Sequence, residues 1–166
     1  MLIPLVIGCL IIVANMAIQV ATLLLVILFL IRKIKSGQSY LGFYGDFRVV
    51  GIVLAFIFGG NLLQIATWAV VFMLIGQFSD FATAFYHSMV NFASLGYGDI
   101  VMDPPWRLLG ALEAANGVLM FGLTAGAILS VMNYLIRRHD FGLPASLQPA
   151  TKNDTSDPDL GNDERK

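Results

Sequence analysis

Hydrophobic residues dominate three long stretches of the chain, which cover residues 2–31, 49–75 and about 106–136. Each stretch exceeds the roughly 20 residues that a helix needs to cross a bilayer. A shorter amphipathic segment, residues 80–92, lies between the second and third stretches. The pattern predicts an all-α membrane protein with three transmembrane helices and one short helix that does not cross the membrane.

Polar residues interrupt the first two stretches at helical spacing. Asn15 and Gln19 lie one turn apart, and Asn61, Gln64 and Trp68 follow the i, i+3, i+7 pattern of one helix face. Polar groups in lipid require partners, so these two faces are expected to pack together and form hydrogen bonds between helices. A binding site for a modulator between the helices is the alternative.

Turn formers and caps mark the boundaries of the short helix. Ser79 is predicted as its N-cap, with Asp80 as an acid in its first turn, where the helix dipole favours a negative charge. Residues 140–166 are rich in Asp, Asn, Pro, Ser and Thr and contain few apolar residues. This composition predicts a disordered tail.

Composition places the chain among membrane proteins, since 57% of its residues are hydrophobic, 13% are charged and the mean hydropathy is +0.77. Its net charge is -1. The loop of residues 76–105 contains no Lys or Arg, whereas basic residues follow the first and third stretches: Arg32, Lys33, Lys35, Arg48, Arg137 and Arg138. The positive-inside bias predicts that the first loop and the C-terminus are cytoplasmic and that the N-terminus lies outside.

Several classes of protein are disfavoured by what the sequence contains. Neither of the first two stretches has an Arg or Lys in its interior, so neither is expected to sense voltage. An enzyme is not expected, because no nucleophile-base pair or metal-ligand cluster is apparent. No nucleic-acid partner or soluble ligand is indicated, and the composition favours a prokaryotic inner membrane.

Residues 94–99 read Ser-Leu-Gly-Tyr-Gly-Asp, directly after the short helix and before the third stretch. Gly96 and Gly98 allow the positive φ that is needed to present successive carbonyl oxygens to a dehydrated cation. The string resembles the Thr-Val-Gly-Tyr-Gly selectivity filter of the pore-loop potassium channels. The resemblance extends over about residues 49–138.

The resemblance implies a tetrameric potassium-channel pore with a re-entrant pore helix and a selectivity filter in each chain. A homotetramer is expected, because a single filter strand cannot encircle an ion. The implied division is an accessory transmembrane helix (1–35), a cytoplasmic linker (36–48), a pore domain (49–138) with outer helix (49–75), pore helix (80–92), filter (94–99) and inner helix (105–138), and a disordered cytoplasmic tail (139–166).

The resemblance also assigns the ion ligands. K⁺ ions, and no other cofactor, are expected to bind the carbonyl oxygens of Ser94, Leu95, Gly96 and Tyr97 and the hydroxyl of Ser94. Gly98 completes the turn, and the Tyr97 ring is expected to pack behind the filter.

Filter support is assigned in the same way. Family members commonly link the acid after the filter to an aromatic residue of the pore helix, and Asp99 has Tyr86 or His87 available for this role. His87 is interpreted as a packed residue rather than a proton sensor. Support is expected to differ in detail, since other residues stand where members often carry Glu or Thr: Val90, Asn91 and Ala93.

Glu113 and three glycines complete the candidate residues of the third stretch. Glu113 is interpreted as a buried support of the filter or pore helix, with a protonatable gate element and a water-facing residue as alternatives. Gly117 lies where the family has its inner-helix hinge. Gly122 and Gly126 form a small-xxx-small face that predicts close helix packing.

The function expected from this resemblance is passive, potassium-selective conduction across a cell membrane, in contact with membrane lipids. Two alternatives remain: a weakly selective cation channel, and a non-conducting membrane subunit that modulates a partner channel.

Overall fold

The computed structural model describes residues 2–35 and 43–138, in which every regular element is a helix. The elements are α1 (Leu2–Lys35), α2 (Phe43–Leu74), α3 (Phe81–Phe92) and α4 (Arg107–Arg138). The predicted all-α architecture with three long helices and one short helix is confirmed. The predicted tail and most of the predicted linker lie outside the described residues.

The long helices α2 and α4 begin at positions that differ from the prediction. Helix α2 begins at Phe43 rather than at residue 49, so Asp46 and Arg48 lie within the helix and not in the linker before it. Helix α4 begins at Arg107 rather than at residue 105. The two prolines before it lie in a turn, in which the Trp106 N–H donates to the Asp103 carbonyl at 2.9 Å.

Within the part of the chain that the structure describes, three segments are long and apolar enough to cross a membrane: Leu2–Lys33, Phe47–Leu74 and Arg107–Tyr134. Helix α3 has 12 residues and is too short to cross. The chain therefore has the composition and helix lengths of a multi-pass membrane protein.

Helix α1 packs against both α2 and α4 along a single stripe. Its buried residues are spaced by three or four positions, so they fall on one helix face: Pro4, Gly8, Ile11, Asn15, Gln19, Thr22 and Val26. The other face consists of exposed apolar side chains such as Leu10 and Val13, which are 65% and 64% exposed. That face is suited to contact lipid.

Two glycines allow α1 to approach its neighbours closely. A Cβ atom at Gly8 would overlap the Leu112 side chain of α4. A Cβ atom at Gly60 of α2 would lie 2.6 Å from the Thr22 hydroxyl oxygen of α1. Hydrophobic transfer contributes little between helices in lipid, so such close contact is a main source of their association.

Hydrogen bonds between side chains join the same three helices. The Gln64 Nε2 of α2 donates to the Gln19 Oε1 of α1 at 2.7 Å, and the Gln19 Nε2 donates to the Thr124 Oγ1 of α4 at 3.4 Å. This confirms the predicted bonding between the first two helices for Gln19 and Gln64, whereas the Asn15 amide has no hydrogen-bond partner among the described residues. Each such bond contributes about 1 kcal/mol or less in a membrane.

Apolar side chains form two clusters along the helices. The cluster near α3 includes Trp68, Phe72, Phe92, Leu109 and Met120, all at most 1% exposed. The cluster near the other end of the long helices consists of Val26, Val49, Val53, Ile57 and Val131. The better-buried aromatic cluster therefore lies beside the short helix and its following loop.

Helix α2 ends in a Schellman motif centred on Gly76, whose φ is 75°. The Gln77 N–H donates to the Phe72 carbonyl, and the Gly76 N–H donates to the Met73 carbonyl, both at 2.9 Å. Glycine suits the left-handed position of this motif because it has no Cβ. The space around Gly76 is open, with nothing within 4 Å of a Cβ built there.

Candidate functional site

Helix α3 is capped at its N-terminus by Asp80, not by Ser79 as predicted. Asp80 has an extended backbone, with φ -129° and ψ 149°, and its Oδ1 accepts from the Thr83 N–H at 2.8 Å. This bond holds the pKa of Asp80 below its usual value. The carboxylate therefore acts as the cap itself rather than as a charge in the first turn.

The C-terminus of α3 closes with the same motif as α2, but with serine at the left-handed position. The Leu95 N–H donates to the Val90 carbonyl at 2.9 Å, and the Ser94 N–H donates to the Asn91 carbonyl at 2.8 Å. These are the two bonds of a Schellman motif, and Ser94 has a φ of 56°. The first residue of the proposed filter is therefore also the residue that ends α3.

The non-helical segment that follows, residues 94–99, which we call the strand although it belongs to no sheet, alternates in the sign of φ. Ser94, Gly96 and Gly98 have φ values of 56°, 58° and 73°, whereas Leu95 and Tyr97 do not have positive φ. In an ordinary β-strand successive carbonyl groups point in opposite directions. When φ alternates in sign, they point to the same side, so that their oxygen atoms can line one edge of the strand. The backbone thus has the form that a row of carbonyl ligands requires.

The side chains of this strand are largely uncovered within one chain. Leu95 is 54% exposed and Tyr97 is 67% exposed. The expected packing of the Tyr97 ring behind the filter is therefore not made within a single chain. Both side chains are available to contact another copy.

A hydrogen bond joins the outer part of the strand to α3. The Tyr86 hydroxyl donates to the Asp99 Oδ2 at 2.7 Å. This bond raises the pKa of Tyr86 and lowers the pKa of Asp99, because it favours the neutral phenol and the charged carboxylate. Of the two aromatic candidates from the sequence, Tyr86 contacts Asp99.

His87 is buried and bonds elsewhere. Its Nδ1 lies 3.1 Å from the Ile100 carbonyl oxygen, and its Nε2 lies 3.0 Å from the Asn91 Nδ2. Because an amide nitrogen can only donate, the neutral ring with its proton on Nδ1 satisfies both contacts. Burial lowers the pKa of His87. The interpretation of His87 as a packed residue agrees with this geometry.

Glu113 is buried, with 0% exposure, and its carboxylate contacts α3 rather than the filter strand. The Ser88 hydroxyl lies within hydrogen-bond distance of both the Glu113 Oε1 and the Ile65 carbonyl of α2. One hydroxyl therefore joins α2, α3 and α4. Glu113 is therefore not exposed at the surface of the chain, and its role in supporting the filter stays a prediction.

Gly117 lies where α4 passes closest to the end of α3. A Cβ atom at this position would overlap the Phe92 carbonyl oxygen, which belongs to the backbone. Glycine is needed here for close packing, independently of any hinge. The hinge role stays a prediction.

Gly122 and Gly126 are exposed on the surface of α4. A Cβ atom at either would meet nothing within 4 Å. The close packing predicted for this face is therefore not made within one chain, which leaves contact with another copy as a proposal.

Three polar residues near the site form contacts that were not predicted from the sequence. The Gln77 Oε1 accepts from the Asp103 N–H at 2.8 Å and joins the loops on either side of α3 and the strand. Ser88 and Asn91 orient Glu113 and His87. The i, i+4 spacing of His87 and Asn91 was the one signal available beforehand.

Comparisons with known proteins agree with this arrangement. The family model for ion channels matches residues 60–134. The chain is 30% identical over 132 residues to potassium voltage-gated channel subfamily A member 2 of Oncorhynchus mykiss. The aligned region covers 74% of this chain and 26% of that protein. It is also 30% identical over 111 residues to potassium voltage-gated channel subfamily A member 10 of Mus musculus. That alignment covers 63% of this chain and 21% of the relative.

The chain spans about a quarter of the length of these curated relatives. No solved structure matches it significantly. The matched channel segment contains α3, the strand with alternating φ and most of α4. On these matches, the chain belongs to the pore-loop potassium channel family.

Proposed function

We propose that the chain forms a potassium-selective pore for passive conduction. The observation that carries the proposal is the alternation of φ at Ser94, Gly96 and Gly98, directly after a capped short helix. In a member of this family, such a strand is suited to replace the hydration shell of K⁺ with oxygen atoms. The proposed ligands are the carbonyls of Ser94, Leu95, Gly96 and Tyr97 and the Ser94 hydroxyl.

Four identical chains are proposed to surround the conduction axis. One strand offers oxygen atoms from one side only, so several are needed to enclose an ion. The exposure of Leu95 and Tyr97 and the open faces at Gly122 and Gly126 supply surfaces for contact between copies. Cross-linking or mass measurement of the detergent-solubilised protein should reveal four chains, and a conducting monomer or dimer would contradict this.

The proposed orientation places the strand and the N-terminus outside and the end of α4 in the cytoplasm, in a prokaryotic inner membrane. It is supported by basic residues after the first and third spans and by their absence from residues 76–105. Labelling of cysteine variants in intact cells would test it. A cytoplasmic N-terminus would contradict it.

The two curated relatives carry the words voltage-gated in their names, but the first two helices here lack sensor charges. No Arg or Lys lies within residues 2–31 or 49–74, and moving charge through the field is what makes opening voltage dependent. These two helices are therefore proposed not to sense voltage.

A channel family also implies a role other than catalysis.

The decisive experiment is a measurement of reversal potential in liposomes that contain the purified protein under opposing K⁺ and Na⁺ gradients. A potential near the K⁺ equilibrium value would support the proposal. A potential near zero would indicate a weakly selective cation channel, and no current would indicate a non-conducting subunit.

A matched pair of variants ties any current to the strand. Gly96→Ala places a Cβ at a φ of 58°, which should disorder the strand and strongly reduce or abolish the K⁺ current. Gly51→Ala lies in α2, where a Cβ meets nothing within 4 Å, and should conduct as the unmodified protein does. Equal currents from both variants would show that the strand is not the conduction path.

A further inference from the structure

Five fully buried residues in the membrane-spanning region keep seven side-chain atoms without a hydrogen-bond partner among the described residues. Two of these residues leave both amide atoms unpaired and the other three leave one atom each. All five are 0% exposed. We call this group the polar seam: Asn15, Gln64, Trp68, Glu113 and Asn116.

The members of α1 and α2 lie at the same level of the bundle. Asn15 is one turn from Ile11, which belongs to the same apolar cluster as Trp68, and one turn from Gln19, which bonds Gln64. Gln64 and Trp68 are themselves one turn apart on α2. Asn15 is therefore flanked along α1 by a member of the cluster that contains Trp68 and by the hydrogen-bond partner of Gln64.

The members of α4 fall in the same layer. Asn116 lies between Leu112 and Met120, both of which pack in the apolar cluster that includes Trp68. Glu113 precedes it by three residues on the same face. One turn beyond Met120, Thr124 accepts from the Gln19 side chain of α1. The seam thus runs between α1, α2 and α4.

The unpaired atoms indicate the chemistry of what binds there. Three are donors, namely the two Asn Nδ2 atoms and the Trp68 Nε1, and four are acceptors, namely the two Asn Oδ1 atoms, the Gln64 Oε1 and the Glu113 Oε2. A cation needs acceptors alone, and an anion needs donors alone. Water both donates and accepts, and buried water typically makes about three bonds to polar groups that lack partners.

We propose that the polar seam binds a small cluster of ordered water molecules within the membrane-spanning region. Asn15 and Asn116 act as positioning residues, because water between them and Glu113 orients the carboxylate that contacts Ser88 of α3. Helix α1 is then part of the support of α3 rather than a separate addition. The effect on the filter depends on the proposed function, whereas the binding of water does not.

The first test uses the full-length protein in lipid bilayers and magnetisation transfer from water in solid-state NMR. The side-chain amide groups of Asn15 and Asn116 and the indole N–H of Trp68 should receive magnetisation rapidly. The backbone N–H of Val53 is the internal control, because Val53 is 1% exposed and packs in the other apolar cluster, outside the seam. Transfer to Asn15, Asn116 and Trp68 that is no faster than transfer to this control would overturn the proposal.

The second test asks whether the water molecules act as one cluster. Asn15→Leu keeps the size of the side chain but removes both polar atoms, so transfer to Trp68 and Asn116 on the other two helices should fall severalfold. Asn15→Ser keeps a group that donates and accepts and should restore it. Met16→Leu is the control, since Met16 is exposed on the outer face of α1.

Transfer to Trp68 and Asn116 that is unchanged in a folded Asn15→Leu protein would overturn the role of Asn15. If that variant does not fold, the measurement on the unmodified protein still decides whether water is bound. K⁺ selectivity of the Asn15→Leu and Met16→Leu proteins then tests the effect on the filter. A loss of water transfer with unchanged selectivity would overturn the positioning role.

Discussion

The ends of α2 and α3 close with the same pair of backbone hydrogen bonds but differ in the residue at the left-handed position. Gly76 ends α2 with a φ of 75°, and Ser94 ends α3 with a φ of 56°. At Gly76 the chain has only to turn, and the surrounding space is open. At Ser94 the same turn is made by a residue with a Cβ, whose hydroxyl is proposed to bind K⁺. On the proposed role of Ser94, the end with the less favourable residue is the one whose side chain supplies an ion ligand.

The largest effect is expected from Gly117→Ala, because the end of α3 packs against α4 and the Gly76 position has no comparable contact. The added Cβ would overlap the Phe92 backbone carbonyl, which cannot rotate away. We expect a loss of about 1–3 kcal/mol or more per chain, or failure to fold. Thermal unfolding of the detergent-solubilised protein measures this.

Gly122→Ala is the control for that substitution, because its Cβ meets nothing within the chain. It should leave the folding of a single chain intact and can weaken only contacts between copies. A Gly117→Ala protein that unfolds at the same temperature as Gly122→Ala would contradict the close packing at Phe92.

The reciprocal exchange of the two cap residues should produce opposite changes of intermediate size. Gly76→Ser introduces a Cβ at positive φ and should lower the free energy of unfolding by about 1 kcal/mol. Ser94→Gly removes the same strain and should raise it by a similar amount. Denaturant titration of both variants checks the signs. Changes of the same sign in both would show that the two ends are not equivalent turns.

A more local effect is expected on ion binding. Ser94→Ala and Ser94→Gly both remove the hydroxyl, so both should weaken Ba²⁺ block from the cytoplasmic side by a similar factor. Ser94→Thr keeps the hydroxyl and should keep the block and the K⁺ selectivity, although a β-branched residue at a φ of 56° should lower stability. Unchanged Ba²⁺ block in Ser94→Ala would exclude the hydroxyl as a ligand.

The smallest expected effect is a dependence of stability on pH, which should arise at the end of α3 and not at the end of α2. The Asn91 carbonyl accepts from the Ser94 N–H, while its side chain bonds the neutral ring of His87. Burial lowers the pKa of His87 from its usual value of 6.5. The unfolded chain therefore takes up this proton first, so stability is full above pH 6.5 and falls as the pH drops below it.

Melting temperatures measured between pH 7.5 and pH 5 should show this decline, and His87→Gln should reduce it. Tyr86→Phe is the control. Its partner Asp99 has a pKa below its usual value of 3.8, so the bond of Tyr86 to Asp99 is lost only at lower pH. A decline in His87→Gln as steep as in the unmodified protein would exclude His87 as its cause.

The sequence predicted the helices well because hydrophobic length and turn residues determine them locally. The bond between the first two helices was predicted correctly for Gln19 and Gln64 but not for Asn15, because helical spacing identifies a polar face and not the partner of each residue on it. The cap of α3 was misplaced by one residue. Ser79 and Asp80 are both good caps, and the backbone conformation that chooses between them is not visible in the sequence.

The site was harder to predict where it depends on contacts between distant segments. The motif identified Gly96 and Gly98 as positions of positive φ but not Ser94, because serine has no marked preference for that conformation. Its φ depends on the two hydrogen bonds that close α3. The contact of Glu113 with Ser88 depends on how α3 and α4 pack, which neither residue reveals alone.

The strand from Ser94 to Asp99 is anchored at both ends within one chain, by the cap of α3 and by the bond of Tyr86 to Asp99. Ordering the backbone of a residue costs about 1–2 kcal/mol, and here much of that cost is met while a single chain folds. Copies that meet as proposed then join surfaces that are already shaped, so association has little left to order. In the proposed assembly, preorganisation of this kind lets each chain order its strand before the copies associate.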